Sequence, residues 1–216
     1  MKGNKSSEKL VHIPEGEVML EGALEIPEGA SGIVLFAHGS GSSRHSPRNN
    51  YVARVLTEHG LATLLLDLLT PEEDLNYEMR FNIDLLAKRL LAATEWLNQQ
   101  EETRKLKIGY FGASTGAAAA IQTASAMGDK ISAVVSRGGR PDLAWPYLDL
   151  LKAPTLLIVG GDDEVVITLN EKAYKKIAAF KQLEIVPGAT HLFEEPGTLE
   201  TVAEMAAKWF GKYLNK

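Results

Sequence analysis

Short β-branched and leucine-rich runs alternate along the chain with stretches in which apolar residues return every third or fourth position. The runs predict strands at Val18–Ile26, Gly32–Ala37, Ala62–Asp67, Lys107–Phe111, Ala133–Ser136, Pro154–Gly160 and Lys181–Val186. The last five read as buried on both faces. Helical spacing is clearest in Val202, Met205, Ala206, Trp209 and Tyr213, and recurs in Val52, Val55 and Leu56 and in Ile83, Leu86, Leu90 and Leu97. Ser114–Ala126 is so rich in alanine that it predicts a helix pressed closely onto a sheet. Strands alternating with helices imply an α/β fold, a mainly parallel sheet with helices on both faces. The turn-forming stretch Pro27–Gly32 suits an antiparallel pair at the start of the sheet.

Composition narrows this picture. The chain has 216 residues, 45% of them hydrophobic, and no internal repeats, so one domain is expected over 17–216 behind a polar segment at 1–16. Formal net charge is −5 and basic residues are interspersed with acidic ones, which argues against nucleic acid as a partner. The apolar runs are too short to span a bilayer and Met1–Gly16 carries no signal-peptide core, so a cytoplasmic protein with no membrane partner is expected. Cysteine is absent, which excludes disulfides, thiolate zinc sites and a cysteine nucleophile.

The candidate chemistry lies where strands give way to loops. Gly112-Ala113-Ser114-Thr115-Gly116 fits G-x-S-x-G between a predicted strand and a predicted helix. A serine hydroxyl needs a base, and a tight turn of this kind lifts its oxygen above the sheet while small neighbours let the helix approach. His38-Gly39-Ser40-Gly41 follows another strand, and its glycines leave amides free to face a developing oxyanion. The N–H of Ser40, with that of Thr115, makes the candidate pair of donors. A phosphate-cradling loop is the rival reading, but neither G-x-x-x-x-G-K-[ST] nor G-x-G-x-x-G is present. His191 follows the run Lys181–Val186 and is the candidate base. The third member of a triad should lie after a strand between Ser114 and His191. There Asp162, Asp163 and Glu164 compete, with Asp163 preferred. His12 and His59 suit packing or surface roles on an early strand and a helix end. A metal site from His38, His45 and His191 has neither an i,i+4 pair nor an accompanying carboxylate, so no metal and no cofactor are expected.

These motifs resemble the α/β-hydrolase superfamily, and in particular bacterial dienelactone-hydrolase-like proteins. The resemblance runs from Gly32 to Leu214 and is carried by HGSGSSRHSPRN, GYFGASTGAAAA, VVSRGGRPDLA, LLIVGGDD and GATHLFEEPG. It implies an α/β-hydrolase fold without a large lid domain. It also favours Asp163, because the family's acid stands in G-x-x-D-x-x-V, matched by Gly160, Asp163 and Val166. True dienelactone hydrolases use a cysteine nucleophile where this chain has Ser114, so a general carboxylesterase is the better expectation. The small-molecule ester is expected to be short and water-soluble, since the connection from Ser136 to Pro154 has no room for a lid. Arg44, His45 and Arg137 are candidate substrate contacts at the edge where the site should open. Arg44, Arg137 and Arg140 equally suit loop-ordering salt bridges with Asp67, Asp142 or Asp162. Amide or thioester cleavage, acyl transfer and a non-catalytic ligand-binding role are the alternatives.

Overall fold

A computed structural model describes residues 8–215. In chain order the elements are β1 (Lys9–Glu15), β2 (Val18–Glu25), β3 (Gly32–Ala37), α1 (Pro47–Glu58), β4 (Ala62–Leu66), α2 (Pro71–Asp74), α3 (Ile83–Gln99), β5 (Lys107–Ala113), α4 (Thr115–Met127), β6 (Ile131–Arg137), β7 (Thr155–Gly160), α5 (Glu164–Lys176), β8 (Lys181–Val186) and α6 (Thr198–Leu214). Eight strands form one sheet in the order β1-β2-β4-β3-β5-β6-β7-β8. From β4 across to β8 every neighbouring pair is parallel, whereas β2 is antiparallel to both β1 and β4. This is an α/β-hydrolase fold, with no large additional domain among the described residues.

Strand alternation divides the core in two. Ile33, Leu35 and Ala37 of β3, with Ile108 and Tyr110 of β5, face α3 and α4. Val34, Phe36 and Phe111 face α1 and α6, where Val52, Leu56, Ala206 and Phe210 meet them. The amphipathic spacing of α3 and α6 is thus satisfied against opposite faces of one sheet. Among the described residues, no helix is long and apolar enough to cross a membrane.

Four differences from the sequence reading have plain causes. First, β1 lies inside the stretch read as a polar leading segment. Residues 1–7 of that stretch fall outside the described residues, but Lys9–Glu15 pairs along its whole length with β2. Only Ile13 of β1 is fully buried, so an exposed edge strand carries little apolar pattern. Second, the turn at Pro27–Gly32 leads from β2 into β3, but β4 lies between those strands, and the antiparallel partners of β2 are β1 and β4. Third, β8 is not buried on both faces: it is the opposite edge, and Ile185 is 39% exposed. The helix α5 was not expected, because its apolar face is covered only by β7, β8 and the loop after β6, leaving Val165 at the surface.

Candidate active site

Parallel strands deliver their carboxyl ends to one rim of the sheet, and the loops after β3, β5, β6, β7 and β8 gather there. Ser114 stands between β5 and α4 with φ 49° and ψ −120°, a left-handed conformation that non-glycine residues rarely hold. Two backbone bonds clamp it: its N–H donates to the Arg137 carbonyl at 3.2 Å, and its own carbonyl accepts from the Arg140 N–H at 3.0 Å. The turn is possible because Gly116 has no side chain. A Cβ there would stand 2.1 Å from the Ala37 carbonyl oxygen and 2.5 Å from that of His38.

Ser114 and His191 line one cavity of about 180 Å³, together with Ser40 and Arg137. His191 Nδ1 is 2.7 Å from Asp163 Oδ2. Asp163 is half-buried, whereas Asp162 and Glu164 point to solvent, so of the three acids only Asp163 meets the imidazole. The loops bearing the pair are tied to each other: the Gly161 N–H donates to the Val186 carbonyl at 2.8 Å and the Asp162 N–H to that of Ala189 at 2.9 Å. On the histidine loop, Glu195 accepts from the Thr190 hydroxyl at 2.6 Å and from the Thr190 amide at 3.1 Å, and the hydroxyl bond foremost holds its carboxyl below the usual range.

The glycine loop after β3 is positioned by His38. Its Nδ1 meets the Gly39 carbonyl at 2.9 Å, and its Nε2 accepts from the Leu68 N–H at 3.0 Å. Those two bonds require a neutral ring protonated on Nδ1. Burial lowers its pKa, against the smaller opposing influence of the Gly39 bond. Gly39 lies directly against Ser114, so Ser40 begins beside the serine. Thr115 is the first residue of α4, and its N–H therefore has no partner within the helix.

Not every expected residue reaches the cavity. Arg44 is held away by a pair of acids, Glu21 at 2.6 Å and Asp67, and its backbone N–H also donates to Asp67. It ties the glycine loop to β2 and to the end of β4. His45 is exposed and its N–H donates to Ser43 Oγ, outside the cavity. The expectation that Arg44 and His45 contact substrate is corrected accordingly. Arg140 forms a two-pronged bond with Asp142, 2.9 and 2.8 Å, within its own loop. Arg137 does line the cavity. Arg48, in the first turn of α1, lines it too and was overlooked. Its signal was faint: one arginine beside a proline in a loop that also held Arg44. A larger groove of about 540 Å³ between α1 and the β2–β4 edge lies away from these groups.

Residues 20–215 match the sequence profile of the dienelactone hydrolase family. A crystal structure of dienelactone hydrolase from Anabaena variabilis superposes with a TM-score of 0.95 at 57% identity, covering 97% of this chain and 99% of that one. An esterase of Pyrococcus furiosus shares the fold at a TM-score of 0.76 and 18% identity, over 97% of this chain and 92% of its own. A Mycobacterium tuberculosis protein, provisionally named a phosphoribosyl transferase, is 58% identical over 204 residues, which are 94% of this chain. The chain spans only 46% of that relative's length. Profile, identity and superposition converge, and the chain belongs to the dienelactone hydrolase family.

Proposed function

We propose that the protein is a serine carboxylesterase that hydrolyses short, water-soluble esters through an acyl-enzyme. The hydrogen bond from His191 to Asp163 carries the reading. It occupies Nδ1, and so leaves Nε2 as the nitrogen that takes a proton from Ser114 in their shared cavity. Ser114 Oγ attacks the ester carbonyl as His191 accepts its proton, and the Ser40 and Thr115 amides hold the oxyanion. His191 then protonates the departing alcohol. Water, deprotonated by the same imidazole, cleaves the acyl-serine and releases the acid. Asp163 keeps the ring in the right tautomer and stabilises the imidazolium. No cofactor enters this chemistry.

The segment after β4 supports a preference for short esters. It is pinned at Thr70 and Glu73 by a reciprocal helix cap and at Arg80 by Asp74, and it packs beside Gly41. Leu75 and Tyr77 are 87% and 69% exposed there; Tyr77 packs against the Phe81 ring, and neither lines the cavity of Ser114. The transferase name belongs to a relative more than twice as long as the matched stretch, and the groups assembled here suit acyl rather than phosphoribosyl chemistry.

The test is intact-mass analysis after a fluorophosphonate, followed by turnover of p-nitrophenyl acetate. One label on Ser114, and loss of both label and turnover in Ser114→Ala, is the expected result. Label on Ser40, Ser42 or Ser136, or an unlabelled protein, would overturn the mechanism.

A further inference from the structure

Arg137 is the odd group in this cavity. It is only 7% exposed, and among the described residues it makes no ion pair. Among the described residues its guanidinium makes one hydrogen bond, from Nη2 to Asn49 Oδ1 at a long 3.4 Å. Its Nε is buried without a partner, and its guanidinium lies 5.9 Å from the Phe193 ring. A buried charge ordinarily has an acid beside it, because desolvation without one is costly. Burial foremost, together with the neighbouring charge of Arg48, brings its pKa down to about 10. Arg48 itself has a buried, unpartnered Nε, and its Nη1 reaches Glu194 at 2.8 Å on the rim, where that carboxylate is 62% exposed. Two cations thus share a cavity of about 180 Å³ that no acidic residue lines.

The rest of the wall points the same way. α1 begins there, capped by Ser46 and with no acidic residue in its first turn, and so presents the positive end of its dipole. Ser42 and Ser46 add hydroxyls, and α4, which starts at Thr115 just after Ser114, has no acid in its first turn either. Donors therefore converge from several directions. A flat carboxylate satisfies one guanidinium edge, whereas a tetrahedral oxyanion offers three oxygens and up to two charges to a surround of this kind.

Resting on the esterase reading, we propose that the cavity holds a phosphoryl group, and that the substrate is an ester carrying a phosphate monoester held by Arg137, Arg48 and the start of α1. The phosphate is an anchor and is not transferred. The bond broken is the acyl carbon–oxygen bond at Ser114, and the phosphoryl group leaves on whichever product bears it.

Calorimetric titration with inorganic phosphate, phenyl phosphate and benzoate at constant ionic strength tests this without requiring turnover. Phosphate and phenyl phosphate should bind one to one, at least tenfold more tightly than benzoate, and should compete with p-nitrophenyl acetate in rate assays. Arg137→Met should weaken phosphate binding at least tenfold. If that variant does not fold, Arg48→Gln at the rim should weaken it several-fold. Benzoate binding as tightly as phenyl phosphate would overturn the phosphoryl assignment. Absence of anion binding in a protein that still turns over esters would sink the inference alone. Anion binding by a protein that resists fluorophosphonate would instead leave this site standing and remove the esterase reading.

Discussion

Gly116→Ala is the substitution that most directly joins the fold to the chemistry. The added Cβ would sit 2.1 Å from the Ala37 carbonyl oxygen and 2.6 Å from its carbon, more than 1 Å inside contact with backbone that cannot rotate away. Either α4 lifts from the end of β3 or the His38–Ser40 loop is pushed outward. Overpacking of this kind costs about 1–3 kcal/mol. For a chain of this size, that lowers Tm by roughly 2–4 °C per kcal/mol. The displaced loop carries the Ser40 amide, and a shift of about 1 Å at a reacting centre costs on the order of 100-fold in rate. Gly211→Ala is the control: its Cβ meets nothing nearer than Asn215 Nδ2 at 3.8 Å, so the helix gains about 1 kcal/mol and turnover stays as it was. Calorimetric melting and initial rates on p-nitrophenyl acetate, corrected by active-site titration, measure both effects. A Gly116→Ala protein with native Tm and native kcat/KM would falsify the close approach on which the elbow depends.

Three other outcomes are expected. Asp163→Asn should reduce kcat by about 10⁴, since an amide facing Nδ1 admits the wrong imidazole tautomer, while Asp162→Asn, whose side chain points to solvent, should change it little; reversed effects in steady-state rates would move the acid by one residue. His38 is buried with its pKa lowered from the ordinary 6.5, so it stays neutral in the fold while the unfolded chain takes up a proton. Stability should therefore fall as pH drops below 6.5, by up to about 1.4 kcal/mol per pH unit from this group. Urea unfolding of His38→Gln should lack that one-proton contribution, and an identical pH slope in both proteins would refute it. Finally, esters with acyl chains of about two to four carbons should have the highest kcat/KM, because an open site gains little of the roughly 0.8 kcal/mol available per buried methylene; a maximum at octanoate or palmitate would expose an apolar cleft.

What the chain disclosed in advance follows from how local each feature is. The elbow at Ser114 was legible because glycines, strand and alanine-rich helix all lie within a few residues of it. The preference for Asp163 over its neighbours rested on a short spacing, and of the three acids it is the one that stands 2.7 Å from His191 Nδ1. For Arg44 the sequence left a substrate contact and a salt bridge with Asp67 equally open; the structure shows the salt bridge, and adds Glu21 from a separate strand that only the sheet order brings near. Arg137 illustrates the converse. Its significance lies in an acid partner that is missing among the described residues, and a sequence shows no absence of contact. β1 was missed because an exposed edge strand lacks the apolar pattern that marks buried ones, whereas β8 was placed with its right bounds and only its burial was misread, since its place at the sheet's edge is set by topology.

The sheet order also divides the working parts unequally between regions of different local stability. Ser114 follows β5, which has parallel neighbours on both sides and helices on both faces, while Asp163 and His191 follow β7 and β8 at the sheet's margin. Local opening starts where fewest contacts must break, so the margin around β8 samples open forms at lower free energy than the centre does. On the proposed mechanism, each such opening would take the Asp163–His191 pair away from Ser114 while the serine stays in place. On warming, ester turnover should then fall before the sheet melts, with amide exchange along β8 marking the temperature at which that begins.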